Sequence, residues 1–553
     1  MRLSRLFLST LSLVAVSSAW AQTGTPPAKA GPARSSFRWL QPAAPAPVGG
    51  KLPLCGLPPS KLIPNLCVLK YRVSTASPEC QAFFDQGLGY FYSYVWMEAA
   101  RSFETAARHD PNCAMAWWAL SRALERYGKG NGPVTEALKK AQALLPRASH
   151  RESLLITARL EEKGMLPGLD TAEKRQKAAI KSIDTLLALY EDDEEGWYYR
   201  AQLAGGSGLF GGQVSAVPFY RALLRINPLH PGANHELVHF YENFQRPALG
   251  WAYAEKYIES SPGLPHAFHM QAHLALRIGR RTKTTDWSAR AVELEKEYHR
   301  VMDVKPSQDH QFAHHLETLM RSLIHDGRFE EARLLKKECE GYKIQHKLLW
   351  FQLHLLERDW AEALKLANSY RRNDKVTASY LTALVYLRQG EPSKAEPEVA
   401  VLRQAYEKRR DRTLEMRLWE AQGALMCRQG AAEGGLKLLQ KAVDKTKSDY
   451  RHHAWGNGAY YMEAWGVAAL AANRLDVAEE AFLEALAHDA GCARAALGLQ
   501  VVCERLGRTD EATQYADLAQ RCWPRALPSA LQAELTALRG PGDPGKVQST
   551  ENQ

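Results

Sequence analysis

After its first 21 residues the chain has no apolar run long enough to cross a bilayer, so we expect no integral membrane association. Its nine cysteines show no zinc-finger spacing, and its glycine-rich segment at 203–213 lacks the Lys-Ser or Lys-Thr ending of a phosphate-binding loop. Although the net charge is +10, the densest basic run, at 408–412, contains an acid. Such a mixed run is typical of a solvated helix face, and we therefore expect no nucleic-acid partner.

The first 21 residues have the composition of a secretory signal peptide. Arg2 and Arg5 precede a short, largely apolar run at 6–16, and residues 19–21 read Ala-Trp-Ala. A basic start, a short apolar run and a small-x-small site form the pattern that is cleaved during export. The pattern predicts cleavage after Ala21 and a mature protein that is periplasmic or secreted.

The body of the chain lacks the alternating apolar pattern of β-strands and repeats small and aromatic residues at helical spacing instead. One copy of the repeat contains Gly87, Ala99, Phe103, Ala106 and Pro111. Two copies near the C-terminus contain Gly466, Ala478, Phe482 and Ala485, and Gly507, Ala512, Ala516 and Ala519. Small residues let two antiparallel helices approach closely, and the aromatic ring fills the space beside them.

This spacing resembles that of the tetratricopeptide repeat, a pair of helices about 34 residues long. The resemblance covers most of residues 80–525 and is looser in the middle of the chain. It implies an all-α fold, a TPR-like α-solenoid of about ten stacked antiparallel helical hairpins. It also implies a protein or peptide partner, bound on the concave face of the array.

Composition and repeat spacing together predict the segments of the chain. They are a signal peptide (1–21), a Pro/Ala-rich linker (22–50), a Cys-containing N-terminal segment (51–75), an N-terminal repeat block (76–195), a central His-rich repeat block (196–345), irregular helical repeats (346–445), a C-terminal repeat pair (446–525) and a disordered tail (526–553).

Two histidine pairs lie one repeat apart in the central block. His235 precedes His269 by 34 residues, and His239 precedes His273 by the same 34. Residues four apart share one face of a helix, and stacked repeats place equivalent positions side by side. We therefore expect the four imidazoles to converge on one surface.

The segments that carry these pairs, HPGANHELVH and HAFHMQAH, have a second resemblance. They are similar to segments of exported bacterial tetratricopeptide repeat proteins that read HPGAxHxxxH and HxxHMxxH. This resemblance implies that the histidines are functional and does not imply an activity.

Imidazoles from neighbouring helices are suited to a transition-metal ion, either zinc or copper. The predicted metal ligands are His235, His239, His269, His273 and Glu317, the last of which occupies the position of His235 and His269 in the next repeat. The residues predicted to contact a bound ligand are His230, His266, Met270, His314 and Arg321. Two other interpretations stay open: the imidazoles could bind a ligand through hydrogen bonds without a metal, or could be duplicated packing positions.

Residues 235–239 also satisfy the HExxH pattern of zinc peptidases. In that chemistry two histidines bind zinc and the glutamate, here Glu236, activates a metal-bound water. The alternative prediction is therefore a zinc-dependent hydrolase or peptidase, with a third ligand from His269, His273 or Glu317. Because a repeat array does not resemble a peptidase cleft, our main hypothesis is an exported scaffold with a central histidine cluster.

Overall fold

The computed structural model describes residues 50–205, 214–244, 246–447 and 459–540. The predicted signal peptide, the linker up to residue 49, most of the glycine-rich loop (206–213) and the C-terminal residues 541–553 lie outside the described residues.

The described residues form 25 α-helices, numbered in chain order. Their bounds are α1 Pro78–Tyr92, α2 Trp96–His109, α3 Ala114–Arg126, α4 Asn131–Ala143, α5 His150–Glu162, α6 Ala172–Leu189, α7 Glu194–Gly205, α8 Val217–Ile226, α9 Pro231–Asn243, α10 Pro247–Ser260, α11 Pro265–Arg277, α12 Arg281–Met302, α13 Phe312–His325, α14 Phe329–Gly341, α15 Lys347–Glu357, α16 Trp360–Asn368, α17 Lys375–Gln389, α18 Pro392–Lys408, α19 Arg412–Arg428, α20 Ala432–Lys447, α21 Tyr460–Ala471, α22 Leu475–His488, α23 Ala493–Arg505, α24 Thr509–Cys522 and α25 Pro528–Arg539.

Successive helices pack in pairs, from α1 with α2 to α23 with α24, which makes twelve hairpins in the described part of the chain. Each hairpin also packs against the next one, as expected for a solenoid. The prediction of an all-α array of stacked helical hairpins is therefore confirmed, and no strand occurs among the described residues. None of the described helices combines the length and the apolar character needed to span a membrane.

The small residues of the repeat are required where two helices of a hairpin touch. A Cβ atom on Gly87 would lie 2.6 Å from the ring of Phe103 in the partner helix. The ring of Phe482 lies between two glycines in the same way, 2.6 Å from a Cβ on Gly466 and 2.5 Å from one on Gly498. Any larger side chain would push the ring out and separate the helices, which explains the spacing seen in the sequence.

The helix α25 differs from the prediction of a disordered tail at 526–553 for the residues that it covers, and the rest of that tail, from 541 on, lies outside the described residues. Pro528 begins this helix and Leu538 is buried against the preceding repeat. Glu534 of α25 forms ion pairs with Arg494 (2.9 Å) and Arg358 (3.0 Å). These contacts join residues far apart in the chain, so the local composition of the tail could not reveal them.

The turn between α1 and α2 packs on helices of the central repeats. The Ser93 hydroxyl accepts a hydrogen bond from the hydroxyl of Tyr257 in α10 (2.6 Å), and the Ser93 carbonyl accepts one from the Gln311 amide (3.2 Å). The hydroxyl of Tyr298 in α12 donates to Glu98 in α2 (2.7 Å). The first hairpin therefore contributes side chains to the region that carries the histidines.

The C-terminal repeats also return to the central ones. Asp489, between α22 and α23, pairs with Arg281 of α12 and with His325 of α13 (2.9 Å). The indole nitrogen of Trp523 donates to the His325 carbonyl (2.6 Å), and its ring covers Gly327, where a Cβ would lie 2.6 Å away. The C-terminal repeats thus contact α12 and α13, so the helices from α12 to α23 form a closed ring, called the circuit below.

Candidate metal centre

Three neighbouring helices, α9, α11 and α13, bring seven histidine side chains together. This histidine array consists of His235 and His239 from α9, His266, His269 and His273 from α11, and His314 and His315 from α13. Each of the three helices is the first helix of its hairpin, so their equivalent faces lie side by side.

The array follows the repeat register. If the turn glycines Gly279 and Gly327 are position fifteen of their repeats, His266 and His314 both occupy position two, 48 residues apart (314 − 266). His269 and His273 occupy positions five and nine, as His235 and His239 do in the preceding repeat. Positions two, five and nine project from the same side of a helix.

The described residues contain three groups of histidines whose ligand atoms all lie within 4.8 Å of one another. The groups are His235–His239–His266, His269–His273–His314 and His266–His269–His315. The first two have the same construction, because positions five and nine of one repeat meet position two of the next. The third joins them through His266 and His269, and His315 completes it.

The distances inside the array suit a single ion per group after small side-chain movements. The Nε2 atoms of His235 and His266 are 3.0 Å apart. Bonds of about 2.0–2.1 Å in a tetrahedral site hold two ligand nitrogens about 3.3 Å apart. A group that spans 4.8 Å would therefore close around an ion through shifts of about 1 Å.

Two buried glutamates orient the imidazoles from outside the array. Glu242 accepts a hydrogen bond from Nδ1 of His273 (2.9 Å) and faces Nδ1 of His239 (3.5 Å). Glu295 is in hydrogen-bond contact with Nδ1 of His315. A carboxylate at Nδ1 fixes the tautomer and directs Nε2 towards a metal, the usual arrangement around ligand histidines.

A backbone carbonyl plays the same part for His235, whose Nδ1 donates to the Tyr92 carbonyl at 2.6 Å. This bond joins the C-terminal end of α1 to the first group of the array. The Nε2 atom of His235 is therefore the one that faces His266.

Burial keeps the imidazoles neutral. It lowers the pKa of His235, His266 and His269 well below the usual value for histidine, and repulsion by neighbouring imidazoles adds to the effect. Burial also lowers the pKa of His315, to about 3. Because a neutral imidazole keeps a lone pair, these side chains can bind a metal at neutral pH without first losing a proton.

Two ring nitrogens of the array are available to bind an ion. Nδ1 of His266 and Nε2 of His315 are buried and have no hydrogen-bond partner among the described residues. A buried nitrogen without a partner costs about 1–3 kcal/mol, and a metal ion removes this cost for the nitrogen that binds it. The donor set is thus chemically and energetically suited to a transition metal.

The HExxH glutamate is already engaged in hydrogen bonds. Glu236 Oε1 accepts from the hydroxyls of Tyr94 (2.9 Å) and Tyr198 (3.2 Å). Tyr94 has a left-handed backbone, with φ of 60°, and its ring stacks on His239. A bulky residue in this conformation is held there by its surroundings, and here it covers one side of the array.

The remaining predicted site residues lie around the array rather than in its groups. Glu317 is partly exposed, pairs with Arg321 (3.0 Å) and lies 3.9 Å from His314, whose contact keeps the pKa of Glu317 at about 2. Met270 is fully buried among the apolar side chains between α9, α10 and α11, so its thioether belongs to the core.

The array ends at α9, where a glycine occupies the position of the next histidine. In α9 position two is Gly232, where a Cβ would lie 2.5 Å from Tyr92 and 2.7 Å from Tyr198. No side chain fits there, so the array cannot continue towards α7. At the other end His314 is 43% exposed, which gives solvent access to the second group.

His230 has a structural role that depends on pH. It is the N-cap of α9, and its Nδ1 accepts a hydrogen bond from the Ala233 N–H (3.1 Å). The acceptor must be unprotonated, and burial lowers the pKa of His230 to about 3.

Because of this cap, we expect the free energy of unfolding to decrease in acid. Below pH 6.5 the unfolded chain binds a proton at His230 and the folded chain does not, so stability falls as the pH decreases towards 3. At pH 5 the loss is about 2 kcal/mol. His230→Asn, which caps without titrating in this range, should lose about 2 kcal/mol less than wild type between pH 7 and pH 5 in denaturant titrations of metal-free protein. His150→Asn, at an exposed histidine, is the control, and an equal change in both variants would contradict the expectation.

The sequence did not single out three of the residues that shape the array. His315 lies next to the position-two histidine, so the repeat register gives it no role. Glu242 and Glu295 act from the outer side, and Glu295 lies in a second helix, on which the 34-residue offset gives no information. The signal for Glu242 was its spacing, three residues after His239 on the same helix.

Three stretches of the chain match the sequence model of a known family, the tetratricopeptide repeat. They are residues 84–152, 348–410 and 463–526. The histidine array lies between the first and second of these stretches. No curated protein matches the chain.

Proposed function

We propose that this chain, which is a tetratricopeptide repeat protein, is an exported scaffold that holds transition-metal ions in its histidine array and binds a protein partner on its inner helices. The metal part of the proposal is carried by one observation. The same three-histidine group occurs twice, one repeat apart, on facing helices.

The donor set favours zinc or copper. Imidazole nitrogens suit both ions, and no carboxylate or thiolate belongs to the three groups of the described residues. Three protein ligands leave a coordination position open, which is the arrangement of catalytic sites rather than of closed structural ones. The core position of Met270 gives copper no thioether ligand, so the choice between the ions rests on the imidazoles alone.

The chain's own residues would hold the ion and control its surroundings. His235, His239 and His266 would bind in the first group, and Glu242 would keep its Nδ1 contacts to the imidazoles. Burial of the rings excludes bulk water, which strengthens every charge interaction with an ion. A bound ion would supply Lewis acidity, or electron transfer if it is copper.

The scaffold part of the proposal rests on the repeats. Tetratricopeptide repeats generally mediate protein–protein interaction, and the paired helices present their first members along one inner face. Export is proposed from the sequence of residues 1–21 alone.

The hydrolase alternative has less support. A general base must be able to accept a proton from a metal-bound water, but Glu236 accepts hydrogen bonds from two tyrosine hydroxyls. We therefore place Glu236 with the residues that position Tyr94 over the array.

Elemental analysis of the purified mature protein tests the metal proposal. We expect at least one zinc or copper ion per chain after gel filtration without chelator. Glu236→Gln should retain the same metal content, because it removes a charge and no imidazole. Protein that stays metal-free after incubation with either ion would overturn the proposal, and loss of metal in Glu236→Gln would show that this carboxylate is needed to hold the ion.

A further inference from the structure

A second site candidate lies in the circuit formed by α12 to α23, away from the histidine array. It is a cavity of about 170 Å³ among the inner helices α13, α15, α17, α19, α21 and α23. Most of its wall is apolar and includes Leu355, Leu384, Val467 and Ala468.

Arginines outnumber glutamates on the cavity wall, although Arg281, Arg321 and Arg494 have carboxylate partners in Asp489, Glu317 and Glu534. Five arginines and two glutamates line it: Arg281, Arg321, Arg388, Arg428, Arg494, Glu420 and Glu463. Both glutamates already have partners. Glu420 accepts from the hydroxyls of Tyr380 (2.6 Å) and Tyr460 (2.8 Å), and Glu463 pairs with Arg494 (2.7 Å).

Several guanidinium donors of the wall have no protein acceptor. Arg388 and Arg428 are exposed to solvent where they line the cavity, and neither is paired with a carboxylate within the described part of the chain. Nη2 of Arg494 and Nη1 of Arg281 are buried and also have no hydrogen-bond partner among the described residues.

We propose that this cavity binds a small carboxylate with an apolar body, whose carboxylate contacts Arg388 and whose body packs against the aliphatic wall. A carboxylate matches the forked donors of a guanidinium and gives Arg388 the carboxylate partner that the described residues do not supply. An apolar body is favoured because it removes the leucine and valine side chains from water.

The size of the cavity limits the ligand to a single ring or a short chain. An aliphatic cavity of about 150 Å³ in another protein holds one benzene molecule. The 170 Å³ here accommodates a body of that size together with its charged group.

Calorimetric titration of the full mature protein with three probes tests the proposal. The probes are benzoate, benzyl alcohol and benzylamine, which share a ring and differ in charge. We expect benzoate to bind at least about tenfold more tightly than benzyl alcohol, and benzylamine to bind most weakly. Equal binding of benzoate and benzyl alcohol, or no heat with benzoate at about 10 mM, overturns the proposal.

Two variants locate the site. Arg388→Gln should weaken benzoate binding at least about tenfold and change benzyl alcohol binding little, since only the carboxylate loses a partner. Arg372→Gln is the matched control, because Arg372 is exposed between α16 and α17 and does not line the cavity. Ala468→Leu, which fills the cavity, should weaken both ligands. Wild-type benzoate affinity in Arg388→Gln or in Ala468→Leu contradicts the assignment.

Discussion

Replacing His266 and His269 together by alanine is expected to abolish transition-metal binding. His266 belongs to two of the three groups of the array, and so does His269. After the double substitution none of the groups keeps three histidines: the first keeps two, the second keeps two and the third keeps only His315.

The expected loss of affinity is large. Loss of a partner that only contacts a ligand weakens metal binding by about 10- to 100-fold. Loss of two ligands should weaken it by at least about a thousandfold, because each removes a metal–nitrogen bond. Competition with a chromophoric chelator measures the dissociation constant, and elemental analysis measures the content after gel filtration.

A double variant at two other histidines is the matched control. His150 lies at the start of α5, and His310 stacks on Trp96 near the array without belonging to its groups. His150→Ala/His310→Ala removes two imidazoles as well and should keep the wild-type metal content. Retention of tight binding in His266→Ala/His269→Ala would refute a metal site at the array, provided that circular dichroism shows native helix content.

Single substitutions give a finer result. His239→Ala disrupts only the group that contains His235, and the other two groups stay complete. We therefore expect part of the metal to remain, in contrast to the double variant.

The fold could be predicted because packing of a repeat is local. Gly87 and Phe103 touch within one hairpin, so their spacing in the sequence already contains the geometry. The same holds for Gly466 and Phe482. The contacts of Asp489 and Trp523 with the central repeats, and that of α25 with Arg358, join distant parts of the chain, and no local pattern indicates them.

The histidine site could be predicted only in part for the same reason. The offset of 34 residues identified the two pairs as equivalent positions, but the pairs belong to different groups, and each pair is completed by position two of the next repeat. Between α11 and α13 the repeat is longer, because α12 has 22 residues, and the offset from His266 to His314 is 48. Counting by a fixed repeat length therefore does not reach His314, and the prediction of Glu317 as a ligand does not match the groups of the array.

Replacing Asp489 by alanine is expected to cause the largest loss of folding stability. Asp489 is the counter-charge of Arg281, and both side chains are only 4% exposed. Although burial would raise the pKa of Asp489, Arg281 and His325 lower it far below its usual value, so the carboxylate stays charged. Removing it leaves the Arg281 guanidinium buried and uncompensated, which costs about 3–5 kcal/mol.

The exposed ion pair at the same junction is the matched control. Asp489 and Arg281 connect one end of the C-terminal hairpin to α12, and Arg525 and Asp286 connect its other end, after α24, to the same helix. The side chains of Arg525 and Asp286 are 45% and 48% exposed. Asp286→Ala should therefore cost no more than about 1 kcal/mol. The two variants remove the same chemical group from the same junction, so a difference between them reports burial.

Hydrogen exchange is the appropriate measurement, because repeat arrays lose structure in parts and not as one unit. In Asp489→Ala we expect faster exchange in α22 to α24 and in α12, with the N-terminal hairpins unchanged. The same variant should lose cavity binding of benzoate, since the circuit that forms the cavity wall closes at Asp489. Equal exchange in Asp489→Ala and Asp286→Ala would contradict this prediction. The C-terminal repeats would then be held on α12 and α13 mainly by apolar contacts, such as that of Trp523 with Gly327.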